Sequence, residues 1–307
     1  MSIGRFAIAL WCIFFALVAL AEPLSRPAGL EPDIAFWRIT FAEISSEQAL
    51  VHDNRHLEVI YETVDLPAGA SSKKLRQISK NARKKYQKIL NTLAGGKRKG
   101  LTSDERRVLS LWPGDVSNDE LRMAAKRVRF QQGLSDRFRE GLIRSGQWRD
   151  HIQAGLLEAG VPESLGSLPH VESSFNPAAR SHVGASGLWQ FTRSTGRRFM
   201  QVDHVVDERR DPYLSSDAAA RLLQYNYSIL KSWPLAITAY NHGVAGMRRA
   251  VKRTGTDDIE VILRQYNGRS FGFASRNFYV AFLAAHEVEQ NAEQYFGVLE
   301  ELQPRRE

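Results

Sequence analysis

The stretch Leu168 to Pro177 reads LPHVESSFNP and carries one acidic residue in an unusual place. Pro162 to Val171 reads as a helix with Leu165 and Leu168 turned inward, so Glu172 arrives at its C-terminal end with apolar Val171 and Phe175 beside it. The negative end of a helix dipole and an apolar setting both disfavour a carboxylate. Such a glutamate keeps its proton longer than a free one, which is what a general acid needs near neutral pH. An ordinary surface glutamate in the loop after a helix would stand at the same position, and these residues alone leave both readings open.

Two further segments of the same half-chain offer polar groups. In GASGLWQF, Gly184 and Gly187 allow a tight turn and a close approach of backbone to a ligand, while the Gln190 amide supplies both a donor and an acceptor. Trp189 reads equally as core or as a platform for a sugar ring. In AYNHG, Tyr240 and Asn241 lie between an apolar helix, Leu235 to Ala239, and Gly243, where their polar ends could reach a groove; Asn241 could instead cap that helix. Ser173 reads as a turn or capping serine. The acids that follow Glu172, Asp203, Asp207, Glu208 and Asp211, are interleaved with Arg209 and Arg210 and read as an ion-paired helix entrance. His170, His182, His204 and His242 show no helical ligand pair with a carboxylate partner, and His286-Glu287-x-Glu289 reads as helix surface, so no metal is expected.

The elements that must hold these groups are mainly helical. From about Asp119 the chain reads as helix almost to its end. Pro162, Asp211-Pro212 and Trp233-Pro234 mark starts, and Gly160, Gly187 and Gly243 mark ends or turns. An all-α domain is therefore expected there. Earlier, Ile34 to about Ser110 mixes a strand candidate, Leu57 to Val64, with a basic helical run, Lys73 to Leu93, that Gly95-Gly96 and Gly100 end. The basic face of that run is a solvated surface or a contact for an anionic wall polymer or membrane surface.

LPHVESSFNP, GASGLWQF and AYNHG, taken together and in this order, resemble the glutamate-serine, Gly-Leu-x-Gln and Ala-Tyr-Asn motifs of the family 1 lytic transglycosylases, nearest the membrane-bound D-type members. The likeness runs from about Val128 to Glu289 and includes VRFQQGLSDRFREGL and VDERRDPYLSSDAAARLL. It implies a lysozyme-like, goose-type all-α catalytic domain that acts on peptidoglycan glycan strands. It implies that Glu172 is the single catalytic acid and base, and that Ser173, Gly187, Leu188, Trp189, Gln190, Tyr240, Asn241 and Tyr279 bind substrate. No metal or organic cofactor is implied. Most glycosidases need two carboxyl groups. The resemblance removes that need, because the sugar's own N-acetyl and hydroxymethyl groups stand in for the second. This chain departs from the pattern late in the domain: where relatives have Glu-Thr-Arg-x-Tyr-Val, it reads Ala274-Ser275-Arg276-Asn277-Phe278-Tyr279, so the tyrosine is either Phe278 or shifted to Tyr279.

Arg5 precedes an apolar run from Phe6 to Ala21 that ends Ala19-Leu20-Ala21, the pattern of a cleaved secretory signal, with an uncleaved anchor as the alternative. Cys12, the only cysteine, lies within it. The expected organisation is a signal peptide at 1–21, a basic, largely helical region at 22–118, the catalytic domain at 119–297 and a tail at 298–307. The expected location is the periplasm or cell envelope. The formal charge of +8 suits an anionic partner. Export and the lack of a basic recognition motif argue against nucleic acid, and cell-wall assembly proteins are candidate partners.

Overall fold

The computed structural model describes residues 24–304, so the apolar run ending at Ala21 lies outside the described residues. It is mainly α. Helix α1 (Glu31–Arg38) leads into a central strand β1 (Gln48–Asp53), which pairs antiparallel with β2 (Ile60–Asp65) on one side and β3 (Val128–Gln132) on the other. Between β2 and β3 run α2 (Ser72–Ala94), α3 (Ser103–Ser110) and α4 (Asn118–Arg127). Then follow α5 (Ser135–Ser145), α6 (Arg149–Glu158), the short α7 (Leu168–Ser173), a single turn α8 (Arg193–Gly196), α9 (Pro212–Leu230), α10 (Trp233–His242), α11 (Val244–Thr254), α12 (Ile259–Gln265), α13 (Phe273–Gln290) and α14 (Ala292–Phe296). Among the described residues, no helix is long and apolar enough to cross a membrane.

The local reasons for these elements are plain in the sequence. Ser71 caps α2 by accepting from the Lys74 amide, and Thr102 with Glu105 forms a reciprocal capping box on α3. Asp211 accepts from the amides of Tyr213 and Leu214 with Pro212 as the first residue of α9. Each side chain takes up donors that the first helical turn leaves free.

Two main apolar cores form, with a third small cluster of Phe36, Ile44, Leu50 and Leu57 beside α1 and β1. The smaller gathers Tyr61, Tyr86, Leu90, Leu93, Val108, Leu121 and Val128 from the sheet and α2 to α4. The larger is built on α13, whose Tyr279, Phe282, Ala284 and Val288 are buried among α5, α6, α9, α10 and α12. This corrects the expected boundary at residue 119. α4 and β3 belong to the sheet unit, since Leu121 and Ala124 pack on α2 and β3 continues the sheet from β1. Within the largely helical amino-terminal region, β2 overlaps the strand candidate Leu57 to Val64. In the other direction, Leu30, Ile34 and Phe41 join the larger core, and α1 lies on α13 with Trp37 Nε1 donating to Asn277 Oδ1 at 3.3 Å and Arg38 paired with Glu287 at 2.9 Å. The leading segment of the chain therefore clasps the helical domain.

Candidate active site

α7 is only six residues long, and what fixes its end is a turn in which two consecutive non-glycine residues take positive φ, Ser174 at 52° and Phe175 at 53°. Such a turn is strained and needs support. Phe175 supplies part of it by burial, and Arg144 of α5 supplies the rest, donating from Nη2 to the Ser174 carbonyl at 2.7 Å and from Nε to the Phe175 carbonyl at 3.2 Å. α5 can come this close because residue 141 is glycine: a Cβ there would lie 2.9 Å from the Ser174 carbonyl oxygen and 3.1 Å from His170 Nδ1. Ser173 ties the same turn to the next loop, its Oγ donating to the Leu188 carbonyl at 2.7 Å.

Glu172 is held in the last turn of α7 and borders a groove of about 480 Å³ that is also lined by Leu134, Arg137, Glu140, Val171 and Arg180. Its carboxyl group makes no hydrogen bond or ion pair with any described residue. Burial alone pushes it up to about 8. A carboxyl group at that value carries its proton at neutral pH.

The loop facing α7 is drawn in tightly. Gly187, at φ +82°, runs so close to the backbone of Arg209 that a Cβ would fall 1.7 Å from its carbonyl oxygen, so no other residue fits there. Arg209 is itself buried and bonded to the carbonyls of Gly184 and Phe191, with Asp207 across a 2.7 Å ion pair. Gln190, at φ 48°, spends its amide nitrogen on the carbonyls of Gly187 at 2.9 Å and Ala179 at 3.2 Å. Leu188 is buried. Trp189 is fully buried, with Nε1 donating to Ser216 Oγ at 2.8 Å, which settles the choice between core and platform in favour of core.

From α10, the Tyr240 hydroxyl donates to the Trp189 carbonyl at 2.8 Å, and its ring lies parallel to that of Phe278 at 6.2 Å. Burial, and after it the neighbouring Glu172 charge, raises the Tyr240 hydroxyl well above its ordinary range, so it stays a neutral donor. Asn241 is exposed and accepts from Ser275 Oγ at 2.8 Å.

Two expectations are corrected here. Tyr279 does not reach this side of α13: it is fully buried and its hydroxyl bonds the Ser25 carbonyl, whereas Phe278 and Ser275, on the helix face toward α10, meet Tyr240 and Asn241. Nor is Glu289 a surface residue. It lies beneath α7, with Oε1 3.5 Å from Nε2 of the buried His170 and Oε2 accepting from Ser167 Oγ, which also bonds His286 Nδ1 at 2.9 Å. Burial works to raise Glu289, but His170, Ser167 and Arg149 together outweigh it and hold it down to about 2. Arg144 and Gly141 were not singled out by type or spacing, and Glu289 was read only as helix surface; their positions on α5 and α13, once both helices pack on α7, give them a part.

Residues 151–263 match the family model of the transglycosylase SLT domain. The chain is similar to the membrane-bound lytic murein transglycosylase D of Escherichia coli (strain K12), 32% identical over 142 residues that are 45% of this chain and 30% of that protein. It is also similar to a putative tributyltin chloride resistance protein of Alteromonas sp. (strain M-1), 37% identical over 103 residues, 33% of this chain and 50% of the other. The chain thus spans about a third to a half of the length of these relatives. Among solved structures, an inactive mutant of the lytic transglycosylase Slt from Pseudomonas aeruginosa aligns with 62% of this chain and 28% of its own at 18% identity, with a TM-score of 0.40.

Proposed function

We propose that this chain, which carries a transglycosylase SLT domain at residues 151–263, cleaves the β-1,4 bond between N-acetylmuramic acid and N-acetylglucosamine in peptidoglycan and leaves 1,6-anhydromuramic ends. The observation that carries the reading is the place of the Glu172 carboxyl group, half-buried at the edge of the groove with no partner among the described residues, where burial pushes it up to about 8. Protonated Glu172 donates to the glycosidic oxygen as the bond to the muramic C1 breaks. The sugar's N-acetyl oxygen steadies the oxocarbenium-like centre. Glu172, now a carboxylate, takes the proton from the muramic C6 hydroxyl as its oxygen closes on C1, which restores the acid and consumes no water. Tyr240 and Ser173 position the loop and the turn on either side of Glu172 through the carbonyls of Trp189 and Leu188, and Asn241 with Ser275 presents a polar edge. Action of this kind places the protein in the cell envelope.

A water-using muramidase is the second reading, and Glu140 is the residue that favours it, as the one other carboxylate among the groove-lining residues described. It is exposed and paired with Arg144 at 3.2 Å, four residues on along α5. Mass spectrometry of fragments released from purified peptidoglycan separates the two. Anhydromuramic ends, formed equally by Glu140→Gln, are the expected result; reducing ends, heavier by one water and lost in Glu140→Gln, would replace the transglycosylase reading with the hydrolase.

A further inference from the structure

The positive charge of this chain is concentrated in one place. Between Asp65 and Asp104 there are eleven lysines and arginines and no acidic residue, so the rest of the chain is net −3. Eight of the eleven lie on α2: Lys73, Lys74, Arg76, Lys80, Arg83, Lys84, Lys85 and Lys88, all exposed. Among the described residues, only Lys85 of these has acidic partners, Glu62 and Asp104.

At 3.6 residues per turn, Lys73, Arg76, Lys80, Arg83, Lys84 and Lys88 fall within an arc of about 140° and along about 22 Å of the helix. Tyr86, Leu90 and Leu93 point away from that arc into the smaller core, where α3, α4 and the sheet meet them. Like charges four residues apart, as in Arg76-Lys80-Lys84-Lys88, destabilise a helix standing in water. The cost is met by packing on the other face. An anionic surface would remove it.

The form of the face selects the kind of surface. It is the outer side of a helix whose apolar residues Tyr86, Leu90 and Leu93 are buried in the smaller core, so a single polymer strand laid along it would meet it along one line only. A planar array of phosphates meets every cation at once. The composition is lysine-rich, suited to many point contacts with phosphate rather than to forked recognition of one group. No large apolar side chain is exposed on α2, so attachment would rest on charge alone.

We infer that α2 lies flat on an anionic phospholipid bilayer and holds the helical domain at a membrane surface. The inference is independent of the chemistry at Glu172. The test uses the full chain and vesicles of phosphatidylethanolamine with about 30% phosphatidylglycerol, against phosphatidylcholine alone, with attachment falling as salt rises. The phosphatidylcholine arm reports whatever the apolar stretch Phe6 to Ala21 contributes. Replacing Lys73, Lys80, Lys84 and Lys88 together by glutamine should weaken binding to the anionic vesicles by about fivefold per charge, several hundredfold in all, with a melting temperature no lower than the parent's. Acetylation footprints give a second readout that an apolar anchor does not mask: those four lysines should be protected on anionic over neutral vesicles, and Lys231 and Lys252 should not. Equal attachment of variant and parent, or uniform protection, overturns the inference. So does a variant that still holds vesicles but no longer sediments with purified peptidoglycan, which would give the face to a wall polymer.

Discussion

Glu172 and Glu289 lie on opposite sides of the six-residue helix α7, both drawn away from bulk water, and they titrate in opposite directions. Glu172 has no partner among the described residues, and burial pushes it up to about 8; Glu289 is flanked by His170, Ser167 and Arg149 and is held down to about 2. Burial has the same sign at both. What differs is whether the protein supplies groups that favour the charged form, and around Glu172 it supplies none. On the proposed function, one carboxyl group gives up a proton and the other anchors the helix that carries the first.

The largest effects should come from removing each carboxylate in turn. Glu172→Gln is expected to lower glycan cleavage by about a thousandfold or more, because a general acid is lost, without loss of thermal stability. Glu289→Gln should do the reverse. Replacing the charged partner of a buried histidine costs about 2 kcal/mol of stability, while the activity of the folded fraction stays within about tenfold of the parent. Melting curves alongside rates on purified peptidoglycan check both. If Glu289→Gln lost as much activity as Glu172→Gln with no change in stability, the division of labour between them would fail.

The same contrast has a signature in pH. Glu172 acts as an acid only while protonated, so cleavage should fall as pH rises through about 8. Its raised value also means that the folded state holds its proton more tightly than the unfolded one, so its share of stability is present at low pH and is lost between about 4.5 and 8. Glu289 is depressed, so its contribution is present above about 4.5 and is lost as pH falls toward 2. Stability of Glu172→Gln relative to the parent should therefore rise with pH across the neutral range, and the deficit of Glu289→Gln should shrink in acid. Urea unfolding at several pH values reads both slopes.

How much of this was legible in the sequence follows from how local each feature is. Asp211 with Pro212, the basic run of α2 and the end of a helix at Glu172 are written in neighbouring residues, and they appear where local chemistry puts them. The strand β1 was missed because QALVHD is a central strand covered on both faces, and its burial erases the alternation that marks a strand. The boundary at 119 failed for a related reason: α4 reads as helix wherever it packs, and nothing local says that Leu121 and Ala124 face α2. At the site, Tyr279 was favoured by residue type, whereas helix phase puts Phe278 beside Tyr240 and turns Tyr279 toward Ser25. Glu289, more than a hundred residues from His170, has no local signal at all.

A smaller effect tests how finely the site around Glu172 is set. The Tyr240 hydroxyl donates to the Trp189 carbonyl, its ring stacks on Phe278, and the hydroxyl lies close enough to Glu172 to feel that charge. Tyr240→Phe keeps the ring and its stacking and removes only the donor, so stability should fall by roughly 1 kcal/mol. If the hydroxyl serves only to hold the loop, cleavage falls by no more than about tenfold and the pH at which activity is lost stays where it was. If it also steadies the Glu172 carboxylate formed when the proton leaves, that carboxyl group becomes harder to ionise, and the descending limb of the pH profile moves upward. A profile unchanged in position would leave burial as the sole cause of the raised Glu172 value, which is the sharper form of the contrast with Glu289.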